Sequence, residues 1–194
     1  SVKIVRIESL HCDAGWRNFS FLKVTTDDGL VGWSEYNESY GANGLSAVIA
    51  ALAKSLIGED PRPIQKISSR LYARTRQAPG GINQQAIAAI ENALLDIKAK
   101  ALGVPVYELF GGPVRDRLRL YWSHCGSYRL NLHELIGRPP LRDLDGIKAL
   151  GAEVAAQSFT TLKCNIFLFD EGTPKLYQPG FGVVPGGPEL NPSR

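Results

Sequence analysis

The sequence predicts an α+β fold: a three-stranded antiparallel meander with a helical bundle, followed by the opening strand-helix-strand unit of a parallel sheet. Three observations predict it. Two runs rich in Val, Ile and Phe precede a third that follows the turn residues Asp27-Asp28-Gly29. Ile87, Ile90, Leu94, Ile97 and Ala101 recur at alternating spacings of three and four, one apolar helical stripe. After Pro113, strand-like and helical patterns alternate. With 44% hydrophobic and 21% charged residues among 194, the chain has a globular composition, which excludes disorder and fibrous repeats.

The first strand is expected over residues 2 to 10, the second over Phe19 to Thr26, and the third over Leu30 to Tyr36. This meander brings two loops near one another, Asp13 to Arg17 and Glu38 to Gly44. A helix follows from Leu45 to Ile57, stopped by Gly58 and the Pro61-Arg62-Pro63 corner. A second runs from Ile64 to Arg76 and ends before Pro79-Gly80-Gly81. The third carries the apolar stripe and closes at Gly103, a residue suited to the left-handed helix end. Further on, Leu118 to Ser123 reads as a strand, Leu141 to Gln157 as an amphipathic helix, and Phe159 to Phe167 as a second strand parallel to the first. Residues 171 to 194 are rich in proline and glycine and read as a long loop.

Several function classes fall away on composition. A net charge of +3, with basic residues clustering no further than Arg115 and Arg117, offers no phosphate-tracking surface, so nucleic acid is not expected as a partner. The apolar run from Leu45 to Ala53 is interrupted at Lys54 and is too short to span a bilayer. No basic start followed by a long apolar stretch marks a secretory signal. Cys12, Cys125 and Cys164 are far apart and odd in number, which suits reduced, buried thiols in the cytoplasm rather than a disulfide framework.

The strand ending near Phe167 holds the main candidate site. Alternation puts Thr161, Lys163 and Asn165 on one face and Leu162, Cys164 and Ile166 on the other. A polar inward face backed by an apolar face under helices is the pattern of a parallel barrel strand near its active end. A lysine there serves in proton transfer or pairs with a substrate carboxylate. The competing reading, an edge lysine that blocks aggregation, stays open on the strand alone. His11-Cys12 and His124-Cys125 offer zinc-type ligands without ligand spacing, so satisfied or core histidines are the better reading. Gly180-Phe-Gly182 lacks the strand-turn-helix setting of a dinucleotide loop. Trp16, Arg17 and Tyr40 lie on the two meander loops, within reach of a ligand.

Asp28-Gly29-Leu30-Val31-Gly32-Trp33-Ser34-Glu35 resembles the hairpin signature of the enolase superfamily's capping domain. The run from Ala86 to Gly103 resembles its central helix, and Val104-Pro105-Val106-Tyr107 and Leu109-Phe110-Gly111-Gly112 resemble the segment after that helix. The match points to the mandelate racemase/muconate lactonizing branch and spans essentially the whole chain. The resemblance implies a capping domain over residues 1–112 and, from 113 to 194, the first βα units of a TIM-type (β/α) barrel. It implies Mg²⁺ as cofactor, a small carboxylate or sugar-acid substrate, and a cytoplasmic homo-oligomer. The metal ligands of such proteins lie on later barrel strands, so none is expected in this chain and they are placed beyond Arg194. Asp170, Glu171 and Glu189 are therefore not expected to be ligands. Trp16, Arg17 and Tyr40 become substrate contacts by location on the closing loops, with Thr161 beside them as a binding residue.

Many relatives carry Lys-x-Lys at the second barrel strand, and here Lys163-Cys164-Asn165 keeps the first lysine only. That pattern is similar to the sugar-acid dehydratases. The implied chemistry is removal of the proton α to a carboxylate, an enediolate, and loss of the β-hydroxyl. Lys163 would stabilise the carboxylate or enediolate, and Asn165 would hydrogen-bond a substrate oxygen. Racemase, epimerase or cycloisomerase chemistry in the same fold is the alternative. A non-catalytic fragment or binding remnant lacking the metal site is the reading from a different class.

Overall fold

Three strands pair in chain order: β1 (Ile4–Asp13), β2 (Asn18–Thr26) and β3 (Val31–Tyr36), all antiparallel. They belong to a computed structural model that describes residues 2–39, 42–169 and 174–177. The chain divides into two units, Ser1–Val114 and Arg115–Arg194.

In the first unit, β1 runs three residues further than the sequence pattern predicts, because Asp13 pairs with Asn18 across the ladder. The expected turn is present. Gly29 sits at φ +87°, a conformation that favours glycine, while the Thr26 hydroxyl donates to the Asp28 carboxylate. Alternation along β2 buries Ser20, Leu22, Val24 and Thr26 on one face. That face meets α3 (Gly81–Leu102), whose Ile87, Ile90, Leu94 and Ile97 are all buried. Ala101, assigned to the same stripe, is exposed; Ala99 is the buried residue near the end, as the stripe turns away in the last turn. Gly103 closes the helix in the left-handed region, with Val104 N–H donating to the Ala99 carbonyl as in a Schellman cap.

Gly32 has a reason beyond turn chemistry. A Cβ there would lie 2.1 Å from the Ala93 carbonyl oxygen and 2.6 Å from Ile97 Cγ1. The strand and the helix therefore approach at a distance only glycine permits. The edge of β3 is also tied to this helix: Trp33 N–H donates to Asp96 at 2.9 Å and Lys100 Nζ to the Val31 carbonyl at 2.8 Å. Such contacts satisfy groups that an edge strand leaves open. The remaining helices, α1 (Leu45–Ala53) and α2 (Ile64–Arg74), are shorter than expected. After Ala53 the chain tightens into i→i+3 turns such as Leu56 N–H to the Ala53 carbonyl, ending at Gly58 with φ +84°. A 3₁₀ turn over Val106–Phe110 follows the long helix.

The second unit departs further from the prediction. The strand expected at Leu118 to Ser123 does not form, and the one at Phe159 to Phe167 is reduced to an isolated parallel bridge between Trp122 and Leu162 and, at its end, to Ile166 and Phe167 within a short strand. A parallel ladder is stable when both faces are covered. Here Leu118 and Leu120 are 75% and 72% exposed, and Leu162 is 43% exposed. A short α4 (Tyr128–Asn131) follows the bridge's first segment. The amphipathic helix is present as α5 (Leu144–Ala156), starting three residues late because Asp143 caps it by accepting from Gly146 N–H at 2.8 Å. Ile166–Leu168 forms β4, which pairs antiparallel with β5 (Lys175–Tyr177), a strand inside the stretch read as loop. Three residues between prolines and glycines are too few to show a period.

Candidate functional site

The β1–β2 loop is built by a side chain. Asp13 Oδ1 accepts from Gly15 N–H at 2.7 Å, and Ala14 N–H donates to the Arg17 carbonyl at 3.0 Å, a compact turn with Gly15 at φ +81°. It presents Trp16 and Arg17 together. The Arg17 guanidinium lies 3.8 Å over the Phe19 ring and 5.1 Å from the Trp16 ring, and its Nη2 reaches Glu35 at 3.3 Å. Trp16 meets Phe19 edge-on at 6.0 Å.

The β3–α1 loop is fastened by Glu38, which sequence reasoning passed over. Its carboxylate accepts from Gly44 N–H at 3.0 Å, from Ser46 N–H at 3.2 Å, and from the Ser46 hydroxyl. Gly44 opens α1 and has no side chain to cap it, so an acid six residues upstream takes that place. A glycine at a helix start was the one available signal. The Ser46 hydroxyl above all holds the Glu38 carboxyl below its ordinary range. Ser39 Oγ donates to the Asn18 carbonyl at 3.1 Å, which brings this loop to the start of β2, beside the Asp13 to Arg17 loop. Tyr40 lies outside the described residues, as do Asp170, Glu171, Glu189 and Gly180 to Gly182.

In the second unit, three backbone hydrogen bonds hold two extended segments side by side: Trp122 N–H to the Thr161 carbonyl, Lys163 N–H to the Trp122 carbonyl, and Cys125 N–H to the Lys163 carbonyl, at 2.8 to 3.1 Å. Thr161 and Lys163 are exposed, while Asn165 is half-buried. Asn165 Oδ1 accepts from the buried Ser127 hydroxyl at 2.7 Å, which leaves the amide nitrogen as the free donor. Ser127 carried no sequence signal. The expected cover over the other face is not there among the described residues, for Cys164 is exposed and Ile166 is 50% exposed. Of the three thiols expected to be buried only Cys125 is, its pKa pushed up chiefly by that burial; Cys12 and Cys164 stand exposed. His11 bonds Ser20 Oγ at 3.0 Å within the meander. Among the described residues no group of three or more His, Cys, Asp or Glu is placed to hold a metal ion. No helix among them is long and apolar enough to cross a membrane.

A meander closed by one long helix, with a parallel pairing after it, defines a capping-domain protein of the enolase type. The profile of the mandelate racemase / muconate lactonizing enzyme N-terminal domain matches residues 12–111, and the chain belongs to this family. Its first unit is the enolase-superfamily capping fold. A D-galactonate dehydratase of Xanthomonas axonopodis pv. citri (strain 306) is 44% identical over 120 residues, 62% of this chain and 31% of that protein. A D-galactonate dehydratase of Ralstonia nicotianae (strain ATCC BAA-1114 / GMI1000) is 44% identical over 151 residues, 78% of this chain and 36% of that protein. The chain thus spans about a third of the length of these curated relatives. A crystal structure from Burkholderia xenovorans strain LB400, provisionally described as an L-alanine-DL-glutamate epimerase and bound to magnesium and fumarate, has a TM-score of 0.89 and 48% identity. It covers 94% of this chain, which covers 45% of it.

Proposed function

We propose that this chain is the capping domain, residues 1–112, and the start of the barrel, residues 113–194, of a sugar-acid dehydratase acting on D-galactonate or a close relative. The observation that carries the reading is Asn165. Two-faced racemisation at a carbon needs a base on each side, and an amide has no useful proton affinity at neutral pH. Ser127 occupies the oxygen of this amide, which leaves its nitrogen to donate to a substrate oxygen. The names of the two dehydratase relatives support the same choice.

In this reading Lys163 pairs with the substrate carboxylate and with the charge that grows on it as the α-proton leaves. Asn165 bonds a neighbouring oxygen. A base takes the α-proton, and the electron pair left at the α-carbon expels the β-hydroxyl. An acid protonates that hydroxyl so that it leaves as water, and the enol formed tautomerises to a 2-keto-3-deoxy acid. Trp16, Arg17 and Tyr40 contact the substrate from the closing loops, and Thr161 contacts it from the strand. Magnesium would supply charge stabilisation to the enediolate, and no ligand set for it lies among the described residues. The whole protein works as a cytoplasmic homo-oligomer on a small acid.

The test is incubation of the intact gene product with D-galactonate, following loss of one water by mass spectrometry. Conversion to the keto-deoxy acid is expected. An absence of dehydration with every aldonate and aldarate offered overturns the reading. Epimerase chemistry is the second reading, favoured by the description of the Burkholderia structure. Exchange of the α-proton for deuterium with no water lost would establish it instead.

A further inference from the structure

The two extended segments of the second unit bring two cysteines side by side. Trp122 N–H donates to the Thr161 carbonyl, which sets Trp122 opposite Leu162 in a parallel bridge. Cys125 N–H donates to the Lys163 carbonyl at 2.9 Å, and the same offset sets Cys125 opposite Cys164. From the bridge to this pair the first segment advances three residues and the second only two. The extra residue makes a bulge at His124, held at φ +51°, where a non-glycine residue is uncommon. Its effect is to re-aim Cys125. Plain alternation would turn Cys125 away from the face of Trp122, yet both pack into one cluster with Leu150 and Val154. On the partner segment, alternation returns Cys164 to the face of Leu162. Residues directly opposite in a sheet point to the same side, so the two thiols share a face.

Strands paired in this way run about 4.7–4.9 Å apart, and a disulfide joins Cα atoms roughly 4.4–6.8 Å apart. The pairing therefore brings the two residues within bridging range without a large backbone movement. The thiols differ in access, for Cys164 is exposed and Cys125 is 1% exposed. Burial first, and then the neighbouring Cys164, push the Cys125 thiol up, while Arg129 acts the other way. Cys125 thus stays a protonated thiol, and an oxidant in solution reaches Cys164 before it.

We infer that Cys125 and Cys164 form a reversible disulfide, a redox-modification site in which Cys164 meets a peroxide and Cys125 resolves the product. The Cys164 sulfur attacks the peroxide, an S–O bond forms as the O–O bond breaks, and a sulfenic acid and one water result. The Cys125 sulfur then attacks the Cys164 sulfur. The S–S bond forms, the S–O bond breaks, and the departing hydroxide leaves as a second water with the proton of the Cys125 thiol. Two thiols lose two electrons in all, and hydrogen peroxide is reduced to two waters. The bridge joins the segments that carry Ser127 and Asn165, which backbone hydrogen bonds at Trp122, Lys163 and Cys125 already hold together. An exposed sulfur on one side keeps such a bridge open to reduction, as in a redox-sensing pair. The inference is independent of the reaction proposed above, and its test uses no substrate.

The test is brief treatment of the reduced full chain with hydrogen peroxide, then unfolding with N-ethylmaleimide present, trypsin digestion and mass spectrometry. The peptide of residues 120–129 should appear joined to that of residues 164–175, and dithiothreitol should separate them. This pair should exceed any pair containing Cys12 by about tenfold or more, since neighbouring thiols react at a high effective concentration. Cys164→Ser changes an exposed position, so it should keep the parent's melting temperature while leaving Cys125 a free thiol under the same peroxide. Cys125→Ser should stop Cys164 at the sulfenic acid, which dimedone labels. Absence of the joined peptides, a bridge formed mainly with Cys12, or a Cys164→Ser variant whose Cys125 oxidises as fast as in the parent overturns the inference.

Discussion

The carboxylate of Glu38 accepts two backbone amides and a hydroxyl at the start of a helix to which it does not belong. An anion placed there also complements the positive end of the helix dipole. Its folded pKa is depressed, so its contribution is present at and above neutral pH. That contribution fades as pH falls below the ordinary carboxyl value of 4.5 towards the lowered one. Glu38→Gln is expected to lose about 1 kcal/mol of stability at pH 7, typical of a helix cap. Chemical denaturation of both proteins at stepped pH checks this. The gap between them should close in acid; a gap that persists unchanged once the carboxyl is protonated contradicts the account.

At the scale of elements, the meander and the long helix were readable because their signals are local. Period-2 alternation marks β2, Asp27-Asp28-Gly29 marks the turn, and Gly103 marks the helix end. How closely β3 and α3 approach was not readable. Gly32 sits in a strand whose pattern alone would accept alanine, yet its missing Cβ leaves room for the Ala93 carbonyl. Gly32→Ala is therefore expected to destabilise the first unit by about 3 kcal/mol, the upper range of overpacking, since backbone rather than a flexible side chain must move. Thermal melting followed by far-UV circular dichroism measures it, and a variant that melts with the parent removes the claim. The two strands expected around Lys163 failed for the converse reason. Their residues favour strands, but leucines left exposed at 118 and 120 supply no covered face to lock a parallel ladder.

For the molecule as a whole, the large apolar core lies entirely between Ile4 and Ile97, on the capping side. The second unit holds a small cluster, Cys125, Leu150 and Val154, with Trp122 and Phe159 against it. Stability should divide accordingly, since local opening follows the density of buried apolar contacts. Brief trypsin digestion is expected to cut first at the exposed Arg115 and Arg117 and to leave a resistant N-terminal fragment. Mass spectrometry of the fragments decides it: degradation of both units at one rate would show a single cooperative body instead.

The sequence by itself determined the order of the capping elements, the family they belong to, and the residue types offered for chemistry, Lys163 and Asn165 among them. These are properties of periodicity, turn residues and short motifs, which a stretch of chain carries within itself. Only the tertiary structure decided that Ser127 orients Asn165, that Glu38 caps α1, and that Lys163 sits on an exposed segment. Each depends on partners distant in the chain or on which groups water still reaches. Burial and pairing are set by packing, and packing has no local pattern to read.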